Sequence, residues 1–206
     1  RVYPGKGKIL DVGCGYGHFV EIMKNCGWAA SGIEPSSRTV GYAKSKGLDV
    51  AETTIDDAVF PENTFTAITA FYVLEHLFNP FSALKKMHDI LKPGGSLILR
   101  VPHTTPIVKL LNLFNIKNNL YDTPFHLYDF SPKTIRLLLK KAGFSEIRVT
   151  PGRPTVPERL VESVISLTAG FLSQMLYATS MGKLLFPGTS KTIIAIKTND
   201  KEKEGH

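Results

Sequence analysis

The chain has 206 residues, with 25 Lys and Arg against 18 Asp and Glu for a net charge of +7, and 43% of it is apolar. That arithmetic excludes collagen-like, disordered and disulfide-scaffold classes and fits one soluble domain over residues 1–206, able to bury about 70% of its surface on folding. Two cysteines, Cys14 and Cys26, form no CxxC pair, which leaves out a zinc ribbon or a redox dithiol and fits reduced thiols in a cytoplasmic protein. No apolar leader marks secretion, and Arg1 in place of Met suggests a trimmed start.

An apolar run, Ile9 to Val12, ends in Gly13, Gly15 and Gly17 and passes into a helical pattern of Phe19, Val20, Ile22 and Met23. A second run, Trp28 to Ile33, stops at Glu34 and Pro35, after which Ser36 or Ser37 is expected to cap a helix. A short strand near Asp49 to Glu52 follows, then a strand from Phe65 to Val73 and a helix from about Pro80 to Leu91, which Lys92, Pro93 and Gly94 terminate. Ser96 to Val101, Ile147 to Thr150 and Thr192 to Lys197 read as strands, with a helix from Ser131 to Ala142 closed by Gly143. Alternating buried strands and helices predict an α/β fold: a doubly wound, seven-stranded, mostly parallel sheet, Rossmann-like, with a helical insertion at 155–188 between the last two strands.

In DVGCGYG, Asp11 to Gly17, the glycines let the backbone turn sharply and let a ligand approach the main chain. Glu34, at the end of the second strand, stands where an acid can accept from both ribose hydroxyls. Two cofactors share this layout. A dinucleotide needs GxGxxG, but the third glycine position falls on His18 and the glycine is at Gly17.

The spacing Asp-x-Gly-x-Gly-x-Gly resembles motif I of the class I S-adenosylmethionine-dependent methyltransferases. The resemblance extends through GIEPS at 32–36, FPENTFTAITAFYVLEHL at 60–77, LKPGGSLILRVP at 91–102 and HLYDFSPKTIRLLLKKAGF at 126–144. The LEH after the fourth strand is similar to the group that includes quinone-biosynthesis O-methyltransferases. The resemblance implies S-adenosylmethionine as cofactor and S-adenosylhomocysteine as product. It implies that Asp11, Gly13 and Gly15 line the methionine part, with Cys14 and Gly17 nearby in the loop. Glu34 would hold the ribose, Pro35 and Ile55 would flank the adenine, and Asp56 or Asp57 would accept from its amino group. Phe71 and Tyr72 would face the methionine moiety and the methyl.

Aligning a nucleophile with a sulfonium methyl can be worth ~7 to 11 kcal/mol, and proton removal adds a factor of about 10² to 10⁴. His103, after the fifth strand, and His126, before a helix, are the candidate bases, with Tyr72 beside them; His76 in LEH is open to an orienting or a catalytic role. The acceptor is expected to be a small molecule, apolar or lipid-linked, methylated at oxygen. Nucleic acid is not expected, because AFYVLEH lacks the Asn or Asp with two prolines of amino-methylating enzymes and no cysteine follows the fourth strand. No acidic cluster in the sequence suggests a metal. An NAD(P)-dependent oxidoreductase and a catalytically silent cofactor-binding module are the alternatives.

From Ser163 to Gly182 no residue is charged, and Val161, Val164, Ile165, Phe171, Leu172, Met175 and Leu176 recur at helical spacing. A membrane span is excluded by the strands on either side, which must join one sheet. A lid, a peripheral membrane contact through 160–186, a homodimer contact and plain packing on the sheet stay open. Ten Lys or Arg and three Glu lie between Phe130 and Lys197, so 10 − 3 = +7, the whole net charge, flanks this insertion.

Overall fold

The computed structural model describes residues 6–117, 125–152, 160–180 and 190–198. In chain order it contains β1 (Lys8–Val12), α1 (His18–Asn25), β2 (Ala29–Glu34), α2 (Ser37–Ser45), β3 (Val50–Glu52), β4 (Phe65–Phe71), a 3₁₀ turn (Leu74–His76) and α3 (Pro80–Ile90). Then come β5 (Leu91–Pro102), α4 (Thr105–Leu113), α5 (Pro132–Lys141), β6 (Phe144–Pro151), α6 (Leu160–Thr179) and β7 (Ser190–Lys197). The strands form one sheet in the order β3-β2-β1-β4-β5-β7-β6. The β1–β5 half is parallel, and β7 runs antiparallel to both β5 and β6.

The chain winds outward from β1 through β2 to β3, then returns to pair β4 on the other side of β1. That reversal opens a crevice beyond the carboxyl ends of β1 and β4, where open α/β sheets bind ligands. The larger core includes Leu10, Ile68, Leu97 and Leu99 from the strands, Leu84 and Met87 from α3, and Ile135 and Leu139 from α5. The smaller one joins Val20 of α1 and Val40 and Ala43 of α2 with Cys14, Leu48 and Val50.

Local signals set most boundaries. Asn79 accepts the Ser82 N–H at 3.0 Å ahead of α3, and Ser131 accepts the Thr134 N–H at 3.1 Å ahead of α5, each followed by Pro at the start of the helix. Gly143, at φ +102°, ends α5 as expected. Ser36 differs from expectation: its hydroxyl makes no cap, and its N–H instead donates to Glu34 Oε1 at 3.1 Å. β5 starts at Leu91 rather than Ser96, because Leu91 already pairs with Phe65 before an irregularity in the ladder. α4, with Pro106 in its first turn, is an element the sequence pattern did not reveal. Of the expected insertion, α6 lies within the described residues, and 155–159 and 181–188 lie outside them.

Candidate active site

Gly13, Gly15 and Gly17 all have positive φ, of 70°, 52° and 80°, and need glycine for different reasons. A Cβ on Gly15 would meet nothing within 4 Å, so the loop is open there to a guest. A Cβ on Gly17 would strike Leu48 Cδ1 at 2.7 Å, so this glycine serves helix packing and not ligand approach. Cys14 is a second correction to the expected ligand loop. Its side chain belongs to the smaller core, pressed against Gly32, where an added Cβ would meet its Sγ at 2.6 Å. Burial, reinforced by the charges of Asp11 and Glu34, pushes its thiol up to about 12.

A cleft of about 330 Å³ lies over the crevice. Gly13, Glu34, Pro35, Ile55 and Tyr72 line it, as the resemblance implied, together with Ile33, Thr53, Thr54, Val73, His76 and Leu77. Glu34 accepts the Gly15 N–H at Oε2 and the Ser36 N–H at Oε1, each at 3.1 Å. Two bonds leave the carboxylate with unused lone pairs, enough for a pair of vicinal hydroxyls. Asp11 lies buried beneath the loop and accepts from Thr69 Oγ1 at 2.6 Å. Burial raises its carboxyl to about 6 against the opposing Thr69 bond.

Asp56 and Asp57 are both exposed and do not line the cleft. Asp57 is held by Thr54 Oγ1 at 2.7 Å, closing its own turn. Phe71 also departs from expectation: it meets Phe19 of α1 edge-on at 5.2 Å between ring centres, on the helix side of the sheet. Tyr72 is the residue the strand end delivers to the cleft. Its φ of +58° breaks the strand's alternation, its N–H donates to the Arg100 carbonyl at 2.8 Å, and Arg100 lies 5.5 Å over its ring.

A second cleft of about 360 Å³ adjoins the ends of β5 and α4, lined by Thr104, Thr105, His126, Tyr128 and Asp129 among others. His126 stands 4.8 Å, ring centre to ring centre, from His76. The two histidines therefore join the two clefts. His76 Nδ1 is 2.9 Å from the Phe125 carbonyl, which can only accept, so the ring proton sits on Nδ1.

His103 is buried rather than poised in a cleft. Its Nδ1 lies 3.2 Å from the Lys191 ammonium, which also donates to the Phe130 carbonyl and faces Asp129 Oδ1 at 3.7 Å. An Nδ1 that accepts from an ammonium leaves the neutral ring's proton on Nε2, which makes His103 a donor and not the expected base. Burial lowers Lys191 to about 8, against the pull of Asp129 and Glu75. Burial works to raise Asp129, yet bonds from Thr105 and Thr104 and the Lys191 charge together hold it below its ordinary value. Burial raises Glu75, with its own amide, His76 and Lys191 offsetting part of the effect.

Glu75, Asp129, Lys191 and Thr69 escaped the sequence reading. For Lys191 a signal existed: Lys191, Ile193, Ala195 and Lys197 share one face of β7, and all four are buried. Inward lysines on a strand are conspicuous once its alternation is read.

The methyltransferase domain family matches residues 3–149. The chain is 29% identical over 154 residues to a ubiquinone biosynthesis O-methyltransferase of Xanthomonas axonopodis pv. citri, covering 69% of this chain and 64% of that one. It is 31% identical over 134 residues to the Actinobacillus pleuropneumoniae protein of the same name, covering 60% and 57%. The chain thus spans less than two thirds of the length of these curated relatives. Among solved structures, a SAM-dependent methyltransferase from Archaeoglobus fulgidus superposes with a TM-score of 0.67 at 20% identity, over 94% of this chain and 87% of that one. With its crevice, glycine loop and family match together, the chain belongs to the methyltransferase domain family and has the class I S-adenosylmethionine-dependent methyltransferase fold.

Proposed function

We propose that this chain transfers a methyl group from S-adenosylmethionine to a hydroxyl oxygen of a small acceptor, apolar or lipid-linked. The observation that carries the reading is the cleft over the β1/β4 crevice, which joins an acid with spare lone pairs to apolar walls and ends at Tyr72 and His76. The residues present fit the cofactor. Glu34 would hold the ribose, Ile33, Ile55 and Leu77 offer flat apolar contact for the base, and the open side of Gly15 admits the amino-acid part. The dinucleotide reading finds no support in the family match, and His18 opens α1 where that fingerprint wants glycine.

S-adenosylmethionine supplies a sulfonium methyl that needs no further activation. The chain's own work is to position the acceptor and take up its proton. Tyr72 walls the cofactor cleft, and Tyr128, stacked on Phe130 at 5.6 Å, helps shape the acceptor cleft. His76 Nε2, left bare by the Nδ1 bond to Phe125, and His126 stand between the two clefts, where an acceptor hydroxyl would lie. Oxygen as the acceptor atom is supported by the O-methyltransferase names of the relatives. An apolar acceptor is supported by α6, where Phe171, Leu172 and Met175 are exposed; we assign this face to a membrane surface. Among the described residues no helix is long and apolar enough to cross a membrane.

Calorimetry with S-adenosylhomocysteine and with NADH, followed by transfer of labelled methyl into a lipid extract, tests the reading. Binding of the first alone and label in a hydroxyl-bearing lipid are expected. Tight NADH binding without S-adenosylhomocysteine binding overturns the cofactor, and binding without turnover overturns the enzyme.

A further inference from the structure

β7 lies inside the sheet, between β5 and β6, and its inward face carries Lys191 in line with the buried Ile193 and Ala195. Lys191 is fully buried. Burying an ammonium is costly, and a buried ion pair commonly adds no stability over apolar groups of the same volume, so this charge points to a task other than filling the core. The ammonium donates to the Phe130 carbonyl, lies 3.2 Å from His103 Nδ1 and faces Asp129 Oδ1 at 3.7 Å. The other oxygen of Asp129 takes the Thr105 N–H at 2.6 Å and the hydroxyls of Thr104 and Thr105 at 3.2 and 2.5 Å. One cation thus ties together the end of β5, the start of α4 and the segment before α5. Those three pieces wall the cleft of about 360 Å³, through Pro102, Thr104, Thr105 and residues 126–129. Lys191, His103, Phe130 and Asp129 do not line the cofactor cleft.

We propose that Lys191 is a positioning residue for the acceptor: its ammonium draws the end of β5, the start of α4 and the segment before α5 into one cleft, and so sets acceptor affinity while leaving cofactor affinity alone. The role rests on the methyl-transfer reading, which names the occupant of that cleft. Lys191 acts through Asp129, the carboxylate that lines the wall and holds the first turn of α4. The charged groups that face the ammonium are Asp129 from the segment before α5 and Glu75 from the 3₁₀ turn, with His103 from the end of β5 offering a ring nitrogen. Burial lowers Lys191 to about 8 against the pull of both acids, so the ammonium is lost as pH rises through about 8. Asp129, held below its ordinary value, stays ionised there and loses the cation that fixes it. Acceptor affinity therefore weakens above pH 8, and cofactor affinity does not follow it.

The test compares the full chain with the Lys191→Met, Asp129→Asn double variant, which removes both charges together and strands neither. Calorimetry should give the two proteins affinities for S-adenosylhomocysteine within about threefold, which also shows that the variant folds. With labelled S-adenosylmethionine and a lipid extract as the acceptor probe, the variant should need at least tenfold more extract for half-maximal label at pH 7.5, at a maximal rate within about threefold of wild type. Between pH 7.5 and 9 the wild type's requirement for extract should rise toward that of the variant, whose own stays level. Over the same range amide protection factors at 104–113 and 126–131 should fall in the wild type alone. Equal requirements for extract, parallel pH profiles, or a folded variant that has also lost S-adenosylhomocysteine overturn the role. Wild-type protection that stays flat across pH 8 overturns it too, even where the variant does not fold. A wild type that labels no lipid, yet loses protection in the cleft walls above pH 8, upholds the hold of Lys191 on the cleft and removes the methyl-transfer reading instead.

Discussion

Asp11 and Tyr72 both hold stability back at the place where ligand is expected. Asp11 is buried under the glycine loop with its carboxyl raised to about 6, from an ordinary value near 3.8. An acid whose folded value is raised favours its protonated form in the folded state, so above pH 6 its ionisation costs stability. Two units correspond to about 3 kcal/mol at most, a cost relieved as pH falls from about 6 toward 4. Asp11→Asn should therefore raise the melting temperature at pH 7.5 by several degrees, and the advantage over wild type should shrink at pH 5. An advantage that grows on acidification would refute the assignment. Tyr72, 41% exposed at φ +58°, carries strain that a glycine would relieve by about 1 kcal/mol, roughly what its contact with Arg100 returns. Tyr72→Gly should melt within about two degrees of wild type yet lose at least tenfold in kcat/KM, whereas Tyr72→Phe keeps most activity. A large melting shift in Tyr72→Gly would show that the ring is structural.

The junction of β7, α4 and the segment before α5 depends on one ion pair. Lys191 is fully buried and Asp129 nearly so, and the second oxygen of Asp129 takes the Thr105 N–H at 2.6 Å, satisfying the start of α4. Removing one partner strands the other charge, which typically costs about 3–5 kcal/mol, while replacing both with neutral groups is far milder. Asp129→Asn should destabilise by about 3 kcal/mol in urea unfolding, and adding Lys191→Met should recover more than half of that loss. Purely additive effects would mean that the two are not coupled. The element order was legible in the sequence because strands and helices wrote their two periods plainly, as in Ile9 to Val12 and Ser131 to Ala142. α4 was not, since its apolar run carries no recognisable cap: the carboxylate that satisfies its first turn comes from Asp129, 24 residues later. His103 was misread for the same reason, its partner Lys191 lying 88 residues away.

At the scale of the whole molecule, the fold also changes the meaning of the net charge. Between Phe130 and Lys197 the sequence counts ten cations and three acids, but Lys191 and Lys197 are buried, and Lys197 donates to Asn63 and to the Asp89 carbonyl. The excess available to a surface in this stretch is therefore at most 10 − 2 − 3 = +5. α6 is anchored to the sheet by Tyr177, whose hydroxyl donates to the Val149 carbonyl at 3.1 Å, while Phe171 remains 69% exposed and Leu172 47%. A helix pinned on one side and apolar on the other, flanked in sequence by lysines and arginines, suits an anionic bilayer: each cation near the surface adds about 1 kcal/mol and the apolar side chains add their transfer energy. Co-sedimentation with vesicles should accordingly require anionic lipid, weaken with salt and fall several-fold in the Phe171→Ser, Leu172→Ser double variant at unchanged melting temperature. Binding that ignores lipid charge and both substitutions would remove the membrane role and leave α6 as a packing helix.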